Sequence, residues 1–113
     1  MSNLKDRALE YFDAFSNKDL DKLATMFDDH ITLRDWEVSA SGKTAVLGAN
    51  KHIFDSVETI TVTPIKLYQD ADTVAAEISI EVYDNDGETT NLIVVDVIEF
   101  VGNKIKNVRA YKG

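Results

Sequence analysis

Asp96 stands inside an otherwise apolar run, Leu92-Ile93-Val94-Val95-Asp96-Val97-Ile98. Neither face of such a strand is polar, so a shift of register would not bring the carboxyl to water. Apolar surroundings raise the pKa of a carboxyl group. An acid that stays protonated near neutral pH can donate a hydrogen bond. The alternative is a buried acid satisfied by backbone or by a serine. Acids placed this way gather at functional sites, which favours a functional role. Asp35 poses a related question. It alternates in step with Ile31 and Leu33, so a strand that buries those two turns Asp35 inward as well. A buried carboxylate is costly unless it is paired, hydrogen-bonded or protonated. The alternative is a strand end, where Asp35 meets solvent or caps the next loop.

Other polar residues carry weaker signals. Tyr11 lies on the apolar face of a helical pattern, where most tyrosines are core residues whose hydroxyl finds a partner. Asn50 falls on the buried stripe of another helix, between Val46 and Phe54. It either satisfies backbone or lines a pocket. His30, at a helix end, reads as a charge partner for the helix dipole. His52 falls off the buried stripe and reads as solvated. Trp36 alternates away from Asp35, which suits packing or a dimer contact. There is no cysteine, and the two histidines are far apart. A metal site is therefore not expected.

The elements that must hold these residues follow from periodicity. Leu4, Ala8, Tyr11, Phe12 and Phe15 recur at helical spacing. Ser16-Asn17-Lys18 breaks that pattern, and Asp19 can cap a second helix. Leu20, Leu23, Met26 and Phe27 form its stripe, and Asp28-Asp29-His30 ends it. Ile31 to Trp36 alternates as a strand, and Ser39 to Lys43 reads as a loop. A third helix is expected from about Thr44 to Val57, with Val46, Asn50, Ile53, Phe54 and Val57 on one face. The rest is β. Ile60 to Tyr68 contains the only proline, Pro64, which predicts an edge strand or a bulge. Thr73 to Tyr83 alternates, Asp84-Asn85-Asp86-Gly87 is a hairpin turn, and Asn91 to Val101 is expected to be a central strand covered on both faces. Ile105 to Tyr111 closes the chain. Helices followed by strands predict an α+β fold with the helices on one face of an antiparallel sheet. Long strands must twist and curl, which leaves a concave mouth suited to a ligand.

With 113 residues, 44% of them apolar, the chain supports one core, so a single domain over residues 1–113 is expected. The formal net charge of −8 opposes phosphate backbones and anionic membrane surfaces. Nucleic acid and membrane are therefore not expected partners. The opening residues lack a signal-peptide apolar run, so the cytoplasm is the expected compartment.

Several segments, taken in order and spacing, carry a family resemblance. They are Leu9-Glu10-Tyr11 through Asn17-Lys18-Asp19-Leu20, then Met26-Phe27-Asp28-Asp29 into Thr32-Leu33-Arg34-Asp35. A third is Val95-Asp96-Val97-Ile98-Glu99-Phe100, followed by Arg109-Ala110-Tyr111. Together they resemble the nuclear transport factor 2-like superfamily, in its ketosteroid isomerase and SnoaL-like polyketide cyclase branch. The resemblance implies a cone-shaped roll in which a curved antiparallel sheet wraps the N-terminal helices. It also implies that Tyr11 and Asp96 are oxyanion donors and that Asp35 is a general base. Asn50, Phe27 and Phe54 join them as the expected substrate-binding residues. The chain departs from the steroid enzymes at several places. Phe27 stands where a supporting tyrosine is usual, Asn50 falls near another tyrosine position, and Trp36 replaces a proline. Lys112 takes the place of a pocket aromatic. The acid and base set is kept while the steroid-shaped wall is not.

The resemblance implies an isomerase or lyase acting on a small apolar carbonyl compound without a cofactor. It also implies a homodimer formed through the sheet face. The alternative function is a non-catalytic module that binds a small ligand or a protein on the same fold. An epoxide hydrolase would need an arginine facing the acid pair, and Arg34 alternates away from Asp35.

Overall fold

A computed structural model describes residues 3–113. The first helix, α1 (Leu4–Ser16), starts where the Asn3 side chain accepts the Asp6 amide at 3.3 Å, satisfying one orphan donor of the first turn. Its buried face carries Leu4, Ala8, Tyr11 and Phe12. Lys18, with φ of 53°, turns the chain. Asp19 then caps α2 (Leu20–Met26) as expected, its carboxylate accepting the Lys22 amide at 3.0 Å.

Strand β1 (Phe27–Arg34) begins directly at the end of α2, earlier than Ile31. The Asp28-Asp29-His30 segment therefore lies in the strand rather than ending the helix. A register shift between Phe27 and Thr32 against the last strand accommodates these polar residues. The expected loop contains a short strand, β2 (Ser39–Ser41), which pairs antiparallel with β1. Helix α3 (Lys43–Ser56) follows Gly42, whose φ of 91° lies in the region that favours glycine. Four long strands complete the chain: β3 (Val57–Asp70), β4 (Thr73–Asp84), β5 (Thr89–Val101) and β6 (Lys104–Lys112).

The six strands form one curved, unclosed sheet in the order β2-β1-β6-β5-β4-β3. Its neighbours are antiparallel except β1 and β6, which run parallel. The final strand lies between β1 and β5, so its antiparallel hairpin with β5 fixes its direction relative to β1. Pro64 lies on β3, at the sheet edge, beside a register shift between Pro64 and Lys66. This matches its missing amide donor.

The helices cover one face of the sheet only. On β5 the inward residues Val94, Asp96, Ile98 and Phe100 are buried, but Ile93 is 48% and Val95 37% exposed. The strand is central, but the expectation that both its faces are covered does not hold within one chain. Among the described residues, no second layer reaches the outer side.

Lys18 has a positional role in this frame. Its ammonium donates to the carbonyls of Phe54 at 2.9 Å, Val57 at 2.6 Å and Glu58 at 2.9 Å. A cation at the C-terminal end of α3 meets its unpaired carbonyls and the negative end of its dipole. The turn between α1 and α2 is thereby tied to the helix that carries Asn50. Among the described residues, no helix is long and apolar enough to cross a membrane.

Candidate active site

Between the helices and the inner face of the sheet lies a cavity of about 350 Å³. Four polar side chains line it well inside: Tyr11 from α1, Asp35 after β1, Asn50 from α3 and Asp96 from β5. Much of the remaining wall is aliphatic or aromatic, with Phe15, Ile78 and Val94 among its members. No lysine or arginine is among the described residues that line it.

Asp96 faces the cavity because its alternation with Val94 and Ile98 puts it on the inner face of β5. Its partners in register are Ala76 on β4 and Ala110 on β6. Small residues on both sides leave open space above the strand around the carboxyl. The group is 8% exposed, and its pKa is raised to about 7. Burial is the larger cause and the nearby charge of Asp35 the second. Arg34 pairs with Arg109 in the parallel ladder, and the next residue of β6, Ala110, pairs with Asp96. Asp35, which follows Arg34, thus leaves the sheet at the β6 end nearest Asp96.

Asp35 combines both expectations formed for it. It lies one residue past the end of β1, and its Oδ1 accepts the amides of Glu37 and Val38, each at 2.7 Å. Its own amide donates to the Val38 carbonyl at 2.9 Å. This is an Asx-type turn, in which a short carboxylate substitutes for backbone. The same half-buried side chain lines the cavity. Oδ2 takes no part in the turn bonds, so one oxygen is anchored and the other is not held by the turn.

Tyr11 is 5% exposed, with its ring against Phe12, Phe15 and Phe27 at centroid distances of 5.5, 6.1 and 6.3 Å. Burial first, and the charge of Asp96 second, push its phenol above the ordinary tyrosine range. It therefore stays a hydrogen-bond donor throughout the working pH range. Asn50 is 2% exposed, and its Nδ2 has no hydrogen-bond partner.

The remaining expectations fare differently. Phe27 and Phe54 do not line the cavity. Phe27 is 2% exposed and backs the Tyr11 ring. Phe54 packs edge-on to Phe15 at 4.8 Å. Both support the wall from behind. Trp36 does not point away from Asp35, because the turn at Asp35 ends the strand alternation. It is 41% exposed at the cavity mouth, with the Lys112 ammonium 5.4 Å from its ring centroid. His52 is exposed, as expected, but also borders the mouth. Phe15, a stripe residue to which the sequence assigns no role, lines the cavity. The signal for it is its position four residues after Tyr11, on the same helix face.

The chain belongs to the SnoaL-like domain family, which it matches over residues 8–108. None of the proteins with curated descriptions matches it. Solved structures of similar shape share little sequence. One is a hypothetical protein of ketosteroid isomerase-like fold from Catenulispora acidiphila DSM 44928, in complex with trimethylamine. It has a TM-score of 0.86 and 18% identity over 93% of this chain and 83% of that one. Another is an LEH-like epoxide hydrolase from M. tuberculosis, with a TM-score of 0.85 and 16% identity over 96% of this chain and 80% of that one. A third is TerC, co-crystallised with polyporic acid, at a TM-score of 0.87 and 14% identity over 99% of this chain and 92% of that one. At these identities the likeness establishes the fold.

Proposed function

We propose that the protein is a cofactor-independent isomerase or lyase acting on a small, largely apolar carbonyl compound. The observation that carries this reading is the pairing of acids in one cavity: Asp35 with a free oxygen, and Asp96 with its pKa raised to about 7. Asp35 Oδ2 takes a proton from the carbon next to the carbonyl. The C–H electron pair moves to the carbonyl oxygen, which becomes an enolate. Tyr11 and protonated Asp96 donate hydrogen bonds to that oxygen, where negative charge grows. An isomerase returns the proton to another carbon of the conjugated system. A lyase expels a leaving group from the β-carbon. The cavity volume lies at the low end of the roughly 300–1,000 Å³ usual for small-molecule sites, which suits a compact substrate. The absence of a cationic side chain in the described lining weighs against an epoxide hydrolase with an arginine between two acids.

A non-catalytic ligand pocket is the competing reading, and the two amide bonds that occupy Asp35 Oδ1 favour it. Proton exchange separates the two. Ring ketones and enones are incubated with the protein in D₂O, and loss of the α-proton signal is followed by NMR. Acceleration over buffer supports the enzyme. Binding without acceleration assigns a ligand pocket.

Tyr11→Phe in this assay is expected to slow exchange by about 10²–10³-fold, the usual cost of one lost oxyanion donor. Its ring contacts survive, so thermal melting should stay close to that of the parent. An unchanged exchange rate would remove Tyr11 from the mechanism.

The outer face of the sheet bears Ile93 and Val95 beside Tyr111, the register partner of Val95. This exposed apolar strip fits a second copy of the chain, so the proposed assembly is a homodimer through the sheet. Light scattering at low micromolar concentration should return twice the mass of the 113-residue chain. A monomer at that concentration contradicts it.

A further inference from the structure

Resting on the carbonyl-compound reading, we infer that Asn50 is a specificity residue, and that the cognate ligand carries a second oxygen which accepts a hydrogen bond from the Asn50 amide.

Asn50 is one of two polar residues in the buried set, the other being Asp96. It lies on α3, with Val46 one turn before it and Phe54 one turn after. Every other buried residue of that helix is apolar. Apolar side chains at this position would complete the stripe, and a buried amide without partners is unfavourable. Among the described residues, Asn50 Nδ2 is the buried side-chain polar atom left without a hydrogen bond. The side chain also lines the cavity. Rotation of the terminal amide group exchanges its oxygen and nitrogen at little steric cost, so the donor can be turned to whatever fills the cavity.

The acids and Tyr11 do not account for this group. The charge of Asp96 acts on Tyr11, and that of Asp35 on Asp96. These three side chains come from α1, β5 and the turn after β1. Asn50 enters from α3, and its Nδ2 makes no hydrogen bond to any of them. A plain ketone satisfies the oxyanion donors and leaves the amide unpaired. A ketone with a second hydroxyl or carbonyl oxygen satisfies both. Sites built to bond a polar group discriminate strongly against analogues that lack it, because their own buried groups are then left unpaired.

The test uses binding and does not depend on turnover. A panel of ring ketones carrying a hydroxyl or carbonyl at each remaining ring position is titrated against the parent ring ketone by NMR. At least one panel member should bind the parent protein about 10-fold or more tighter than the plain ketone, the usual order for one well-made bond. In Asn50→Leu that advantage should disappear, the panel member and the plain ketone binding with similar affinity. Asn50→Leu should also melt at a higher temperature, since an orphaned amide is replaced by apolar volume. The inference is overturned if no panel member binds or gains over the plain ketone. A gain that persists in Asn50→Leu, or a lowered melting temperature marking a structural amide, overturns it too. Failure of the catalytic reading looks different: the panel binds selectively through Asn50, yet no α-proton exchanges.

Discussion

Asp35→Asn should reduce turnover of a carbonyl substrate by about 10²–10⁴-fold, the range typical for a positioned general base, while the folded structure persists. The reason is local. The turn after β1 depends on Oδ1 accepting the amides of Glu37 and Val38, and an asparagine Oδ1 accepts both equally well. What disappears is the negative charge and the basic oxygen beside it. Binding of an enolate mimic, such as a phenolate, should tighten, because a charge repelling the developing anion has gone. A second consequence is measurable at a distance. The charge of Asp35 is the smaller of the two causes that raise Asp96. In Asp35→Asn only burial is left, so the Asp96 pKa should fall below about 7. Carbon NMR of labelled aspartate reads both effects in one titration. Full activity in Asp35→Asn would mean that another group takes the proton.

Asp96 should make both stability and activity decline with rising pH. Its pKa is raised from an ordinary 3.8 to about 7, first by burial and then by Asp35. Below about pH 3.8 the carboxyl is protonated in the folded and the unfolded chain, and it exacts no penalty. Between 3.8 and about 7 the unfolded chain gives up its proton while the folded chain keeps it, so stability falls. Above about 7 the folded chain must bury a charge, and the penalty levels off. Each tenfold change in acid strength between the two states corresponds to ~1.4 kcal/mol, which puts the full penalty on the order of 4 kcal/mol. Asp96→Asn removes the ionisation. Relative to the parent at each pH, it should melt at a similar temperature near pH 4 and roughly 10 °C or more higher above pH 7. Activity should follow the same proton. In the parent, turnover should drop as pH passes through about 7, because the second oxyanion donor is lost. Asp96→Asn keeps an N–H donor, so its profile should be flat there. A difference in melting temperature that does not change with pH would show that Asp96 titrates normally.

Much of the architecture was legible because it rests on local rules. The α1 stripe, the Asp19 cap, the edge position of Pro64 and the central place of β5 follow from periodicity, capping chemistry and a missing amide. Asp96 could be singled out for a similar reason, since a lone carboxyl in an apolar strand is anomalous in any register. The α2–β1 junction differs from expectation because a strand can hold Asp28, Asp29 and His30 when its partner's register shifts to admit them. The extra residues lie on β1, but the pairing that tolerates them is with β6, at the other end of the chain.

Asp35 and Trp36 mark the boundary between what was legible and what was not. Alternation assigned them to opposite faces, but the Asx turn ends the strand at Arg34 and brings both to the cavity. Phe27 and Phe54 have the expected burial but lie behind the wall rather than in it. Periodicity gives the side of an element on which a residue lies. It does not give the depth at which neighbouring elements stop.

By itself the sequence determined the residue types, the order of helices and strands, and the presence of carboxyls where carboxyls are costly. Only the tertiary structure decided that Tyr11, Asp35, Asn50 and Asp96 share one cavity. They come from two helices, a turn and a central strand, and they meet because β6 inserts between β1 and β5. That insertion brings the end of β1, where Asp35 follows, alongside the β6 residues that neighbour Asp96, so the approach of the two acids is created by strand order. Local periodicity carries no information about strand order. It emerges only when the whole sheet curves over the helices.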